Sequence, residues 1–340
     1  MTVDLINSET VTGPGLYRMS EAAYHADPVK PFSLSRSIAQ KLILESPRHA
    51  YAAHPKLTKQ PEEEQANSRT RDIGSAAHAL LLRQNTEIAV LDYDDFKKKA
   101  AQEERSQAQA RGAIPLLKAD FETVEAMVDT ARAELADNEH ASIRALANPA
   151  DDEIAFNEVT AVWRDRCGDH WARARMDRIS VMPDRITVLD YKTTELSAAP
   201  MQVSRAIFSN HYHFQDGFYR RGVRHIFPEI DRHEKKLSFL FVVQEQFAPF
   251  EITVVEVDDA GRVIGEKMAS DAFMLWRKCN AENWWPGYPK ETVRAEMPAY
   301  VETSWLAREI EDPYLQGLGF DPLPFYESRP YRSKPIMEPN

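Results

Sequence analysis

Cysteine is nearly missing from this chain: Cys167 and Cys279 are the only two in 340 residues. That excludes a four-cysteine zinc or iron–sulfur site within the chain, so no iron–sulfur cluster is expected, and it points to a reducing, cytoplasmic setting. Long apolar runs are missing too. No window approaches the roughly 18 continuous apolar residues that a membrane span requires. The opening MTVDLINSETV has neither a basic head nor an apolar core, so no signal peptide is expected. What remains, 43 % hydrophobic and 28 % charged residues, is the composition of a soluble globular protein. Its length suits one large domain or a domain with appendages.

Positive charge is scarce overall. The net charge of −11, taken alone, argues against a nucleic-acid binder. Its distribution argues the other way. Between Ala161 and His225 ten Arg and one Lys face seven Asp or Glu, which is +4, so the remainder carries −15. A basic island of this kind can attract a polyanion locally, although scattered arginines on a solvated surface would look the same.

The chain shows no internal repeat. Ser35–Glu45, SRSIAQKLILE, fits a helix with Ser35 as N-cap, Ile38 and Leu42 on one face and Pro47 as a stop. A polar stretch, Thr58–Ser68, leads into a helix through RDIGSAAHALLL, and helices are expected over Asp94–Arg111 and Leu116–Leu146. The period then changes from helical to alternating. A short strand near Gly15–Met19 is followed, much later, by strands over Glu153–Arg164, Trp171–Ser180 and Arg185–Tyr191, separated by the turn formers CGD and MPD. A helix over Pro200–Ile226, strands over Leu237–Gln244 and Glu251–Val257, and a helix over Asp259–Trp284 complete the pattern. This order predicts an α/β or α+β core with a central sheet. From Trp285 onward nine of the 21 prolines occur with little periodicity, which reads as an ordered-to-extended arm.

Five stretches carry candidate chemistry. In GSAAHALLL, His78 sits at the edge of an apolar helix face. In ARARMDRISV, Ala174, Met176 and Arg178 alternate with Arg175, Asp177 and Ile179, placing an acid inside a strand, where acids are disfavoured. In ITVLDYKTTE a strand of buried composition finishes with Asp190 and Lys192 on one face and Tyr191 on the other. Two carboxylates converging at a sheet end, with a backbone carbonyl between them, suit Mg²⁺ or Mn²⁺. A nearby lysine would offset their repulsion. In HYHFQDGFYRRGV, Gln215 and Tyr219 are one turn apart, with His211 a turn earlier. In SLSRS, Ser33, Ser35 and Arg36 open a helix, and Arg48 follows it; hydroxyls and free N–H groups there make an anion site or an ordinary N-cap. Singly, each stretch has an ordinary structural explanation, such as an Asp–Lys pair capping a strand.

Together and in this order they resemble the PD-(D/E)XK nuclease superfamily, in its RecB-like branch and closest to RecE-like exonucleases of the exodeoxyribonuclease VIII type. The resemblance covers roughly Tyr17 to Tyr288 and rests on SLSRSIAQKLILESPRHA, GSAAHALLL, RARMDRI, VLDYKTT and HFQDGFYRRG. It implies a restriction-endonuclease-like core, a central mixed sheet flanked by helices. One nuclease domain would span 1–288, with a helical part at 31–148 and the sheet core at 150–285, followed by a Pro-rich arm at 289–340. It further implies that His78, Asp177, Asp190 and the Tyr191 carbonyl hold Mg²⁺ or Mn²⁺ and that Lys192 is catalytic. Gln215 and Tyr219 would support the site and the DNA end. Ser33, Ser35, Arg36, Arg48, Arg175 and Thr193 are the candidates for DNA phosphate. The expected activity is hydrolysis of linear double-stranded DNA from 5′ ends. That would leave 3′ single strands for an annealing protein, with a ring-forming homo-oligomer expected by analogy. The alternatives are a restriction-type endonuclease of the same fold or a non-catalytic DNA-binding recombination scaffold.

Overall fold

Alternating side chains from Arg185 onward build the middle of an eight-stranded mixed sheet. The computed structural model describes residues 3–58, 69–84, 86–167 and 169–315. Most of the polar stretch Thr58–Ser68, the Gly168 of the CGD turn and the arm beyond residue 315 lie outside the described residues.

In chain order the elements are β1 (Leu5–Asn7), β2 (Gly15–Arg18), α1 (Glu21–His25), β3 (Leu34–Ser35), α2 (Arg36–Leu44), α3 (Pro47–Ala53) and α4 (Arg69–Leu81). Then come β4 (Ile88–Leu91), α5 (Lys99–Ala110), β5 (Ile114–Leu117), α6 (Lys118–Leu135) and α7 (Ala141–Ala147). The long strands β6 (Ile154–Asp165), β7 (His170–Val181) and β8 (Arg185–Thr194) follow, then α8 (Pro200–Ser209), α9 (Tyr212–Ile226), β9 (Lys236–Glu245), β10 (Ile252–Val255), α10 (Asp259–Glu282) and α11 (Ala299–Glu311). The large sheet runs β1-β2-β6-β7-β8-β9-β10, with β3 added beside β7 and β4–β5 forming a separate parallel pair. Hairpins make β6–β7 and β7–β8 antiparallel, whereas β8 and β9, joined through α8 and α9, are parallel.

Alternation along β8 and β9 gives the sheet two apolar faces. Ile186, Val188, Phe239 and Phe241 pack under Phe214 and Phe218 of α9, Phe273 and Trp276 of α10 and Ile38 of α2. Leu189, Tyr191, Leu240 and Val242 pack under Ala76, Ala77 and Leu81 of α4 and Val124 and Met127 of α6. Helices therefore cover both faces of a mixed sheet, as expected.

Several boundaries differ from the sequence reading. β8 does not stop at Tyr191 but runs to Thr194 alongside β9, so Asp190 and Lys192 lie within a strand. The Pro200–Ile226 helix is two helices, broken where His211 adopts φ 56° in the left-handed region. The Leu116–Leu146 helix is also two, α6 and α7, preceded by the unanticipated pair β4–β5; four-residue apolar runs such as IAVL carry no period that separates strand from helix. The arm is not featureless: beyond Pro298 the Gly- and Pro-free stretch Ala299–Glu311 forms α11, with no buried residue. By their packing the described residues fall into two units, one ending at Gly287 and one beginning at Tyr288.

Candidate active site

The strands part where the acids sit. β7 is paired with β8 from Arg178 to Val181 and with β3 at Ala172 and Arg173, leaving residues 174–177 between them without a strand on that edge. Asp177 stands at this fork, and its Oδ2 accepts the Tyr191 N–H at 2.9 Å, so a side chain replaces the missing strand carbonyl. The core-facing residues of β7 are Ala172, Ala174 and Met176 and then Ile179; those of β6 are Phe156 and then Val159, Ala161 and Trp163. Both strands thus slip by one residue at the same level. Ile179 consequently joins Ala174 and Met176 in the core, contrary to the strict alternation read from the sequence.

Because the sheet opens here, groups from both helical layers reach the acids. From one side α4 supplies His78, whose Nε2 lies 3.0 Å from Asp177 Oδ2. Gly74, one turn earlier, lets α4 come this close: a Cβ there would fall 2.7 Å from Thr193 Oγ1. From the other side α9 supplies Gln215, whose amide donates to Asp190 Oδ2. Asp190 is 2 % exposed. Its Oδ1 is ion-paired with Lys192 Nζ at 2.5 Å and has no other partner among the described residues. Lys192 also lies 5.2 Å from the Tyr212 ring.

Burial sets the charges. It pushes the Asp190 carboxyl up, with Asp177 adding to the effect and Lys192 opposing it. Asp177 is held below its ordinary range: burial works against ionisation, but His78 and Lys192 outweigh it. Burial likewise opposes charge on His78, yet Asp177, Glu158 and Asp190 together raise it to about 9. Lys192 is kept charged by Asp190 and Asp177 despite burial. An ammonium held so firmly is suited to meeting negative charge and not to accepting a proton.

The sequence reading overlooked Glu158 and Gln84. Ligand atoms of His78, Glu158 and Asp177 all lie within 4.8 Å of one another. Glu158 is opposite Asp177 on β6, with φ 49°, while Gln84 touches both His78 and Glu158. A glutamate interrupting the apolar run FNEVTAVW was the available signal; the turn that delivers Gln84 left none. An imidazole facing the Asp177 carboxylate, with the buried Asp190 carboxylate and the carbonyl of the intervening strand beside it, is a donor set that fits a divalent cation.

Other candidates are placed unevenly. Arg175 and Thr193 line the cleft of about 910 Å³ above His78 and Lys192. Arg175 is engaged with Glu158 at 2.8 Å and Thr193 with Gln246 at 2.8 Å. Tyr219 is buried one turn beyond Gln215, and burial pushes its phenol well above the ordinary range. His211 caps α9 instead of continuing it. The Tyr191 ring turns away to the α4–α6 layer, its hydroxyl 2.5 Å from Gln244. Arg36, at the start of α2, has a buried Nε without a hydrogen bond among the described residues, and its charge bears on Tyr219. Ser33 is fully buried in a network with Asp27 and Arg173, and Ser35 caps α2 at Ile38 N–H. Arg48 is exposed beside Gly287, away from the cleft lining.

Comparison with known proteins adds the family. Solved structures similar to this chain include a proposed exonuclease from Eubacterium rectale, at 12 % identity and TM-score 0.47, covering 84 % of this chain and 98 % of that one. Another is a protein named SSO0001, at 14 % identity and TM-score 0.24, covering 73 % and 97 %. No curated protein sequence matches the chain. The family model described as the PD-(D/E)XK nuclease superfamily matches residues 34–313. With two strand acids, a lysine two residues after the second and a mixed sheet that forks between them, the chain belongs to the PD-(D/E)XK nuclease superfamily.

Proposed function

We propose that this nuclease is a divalent-metal-dependent deoxyribonuclease that digests linear double-stranded DNA from 5′ ends and leaves 3′ single strands for an annealing protein. The observation that carries the hydrolytic part is the meeting of His78, Asp177, Asp190 and Lys192 at the fork, where one buried Asp190 oxygen is faced among the described residues only by the Lys192 ammonium. His78, Asp177, Asp190 and the Tyr191 carbonyl would hold Mg²⁺, with Mn²⁺ as a substitute. Such a cation, when bound, supplies charge for the phosphate and acidity for the attacking water.

The chain's own groups do the rest. Gln215 occupies Asp190 Oδ2 and so fixes the direction of Oδ1. Lys192 brings a permanent positive charge to the place where the phosphate gains negative charge. Arg36, whose charge bears on Tyr219, brings a second cation for a DNA phosphate. Digestion from 5′ ends, the annealing partner and a ring-forming oligomer rest on the sequence resemblance.

The test uses linear and circular duplex DNA, labelled at either end, with Mg²⁺ or with EDTA. Loss of 5′ label from linear DNA in Mg²⁺, with circles intact, is expected. Cleavage of circles would make the protein an endonuclease, cleavage in EDTA would remove the metal, and label lost first from 3′ ends would reverse the polarity.

A further inference from the structure

Glu158 occupies a position that costs the fold something. It lies in the middle of β6 with φ 49°, a left-handed conformation that is unfavourable for a glutamate and persists only where the surroundings impose it. The β6–β7 ladder pairs every residue from Ile154–Val181 to Asp165–His170 except Glu158 with Asp177.

The carboxylate that results is held on three sides. Oε2 accepts from Arg175 Nε at 2.8 Å. Oε1 accepts from Gln84 Nε2 at 2.9 Å and lies 3.2 Å from His78 Nδ1. Gln84 reaches this point through the turn that ends α4, where Arg83 takes φ 53° and the Gln84 N–H returns to the Ala79 carbonyl at 2.8 Å. Both oxygens of Glu158 are therefore engaged by the protein, one by Arg175 and the other by Gln84. A carboxylate so occupied is better placed to orient a neighbour than to hold a cation.

We infer that Glu158 is the positioning residue of His78: it accepts the proton of Nδ1 and leaves Nε2, the nitrogen facing Asp177, for a divalent cation. Gln84 pins the carboxylate in that role. The Gln84 amide nitrogen also lies 2.8 Å from Nδ1, so Gln84 and Glu158 close on the same ring nitrogen.

This inference rests on the metal site proposed above, and the experiment separates the two. Mn²⁺ affinity is measured by titration calorimetry on wild type, Glu158→Gly, Glu158→Gln, His78→Ala and the double variant Glu158→Gly/His78→Ala. Glycine accepts the left-handed backbone, so the melting temperature of Glu158→Gly should match or exceed wild type. Its Mn²⁺ affinity should fall roughly 10- to 100-fold. Glu158→Gln, which still offers an oxygen to Nδ1–H, should recover most of the loss. In the His78→Ala background Glu158→Gly should add nothing. The ¹⁵N spectrum of His78 with Mg²⁺ present should show the proton on Nδ1 in wild type and a tautomer mixture in Glu158→Gly. The inference is overturned if Glu158→Gly binds like wild type, if Glu158→Gln falls equally far, or if the loss persists without His78; the last two would make Glu158 a ligand. Wild-type affinity unchanged by His78→Ala would overturn the site and the inference together.

Discussion

Replacing Gly217 by alanine should damage both the fold and the chemistry, by a route that can be followed step by step. Gly217 lies on α9 where it crosses α10 at Gly265. A Cβ there would meet Glu266 N and the Gly265 carbonyl oxygen at 2.6 Å, where ordinary contact begins at 3.4 Å. The main chain of α10 cannot swing aside like a side chain, so the helices must part by at least 3.4 − 2.6 = 0.8 Å. The neighbours Phe214 and Phe218 are fully buried, and Phe218 stacks on Phe273 of α10 at 5.4 Å. Overpacking of this kind costs about 1–3 kcal/mol. Two residues away, Gln215 holds Asp190 Oδ2. A displacement of about 1 Å at a reacting group costs on the order of 10²-fold in rate. Thermal melting and end-labelled DNA digestion on the same preparation should therefore fall together. Gly13→Ala, where a Cβ would meet nothing within 4 Å, is the control. A Gly217→Ala protein that melts and cuts like wild type would refute the reasoning. Reduced stability with unchanged rate would show that α10 yields and α9 holds its place.

Lys192→Ala should reduce cleavage by about 10²- to 10³-fold or more while leaving the circular-dichroism spectrum unchanged; near-normal digestion would show that the ammonium has no part in the chemistry. The His78 value of about 9 is raised above the unfolded 6.5, so its stabilisation is fully present below 6.5 and is lost as pH rises through about 9. In EDTA, urea stability should decline across that window by at most about 3 kcal/mol, and His78→Gln should flatten the slope; an unchanged slope would place the effect elsewhere. Ser33→Ala should cost about 1–3 kcal/mol, since it strips a buried hydroxyl from Asp27 and Arg173, with cleavage by the folded fraction unaltered. A selective loss of DNA affinity in that variant would return Ser33 to the binding surface.

The sheet and most helices were legible because their apolar residues repeat with the period of the element that carries them. Gln215 and Lys192 stood out in the sequence by their fixed spacing from Tyr219 and Asp190, and His78 by its place at the edge of an apolar helix face. Harder to read was whatever depends on a local break in the pattern. The left-handed residues His211, Arg83 and Glu158 have no glycine to announce them. The fork between β7 and β8 is invisible in the alternation of either strand alone. Ser35 was read as a helix cap or an anion site, and only the cap is accounted for by its hydrogen bond to Ile38 N–H. Ser33 could not be told apart from a phosphate contact, because its burial depends on Arg173 from a strand 140 residues away.

The hydrogen bond from the Tyr191 amide to Asp177 has a use beyond holding the fork. In a continuous sheet that proton would be locked to a strand carbonyl and would be indifferent to events in the cleft. Here it is locked to a carboxylate oxygen that also faces His78. Its exchange with solvent deuterium, or its chemical shift, should therefore respond whenever the charge on Asp177 is shared with something new. The fork gives the protein a native reporter at its own working end, readable without a label and without a substrate.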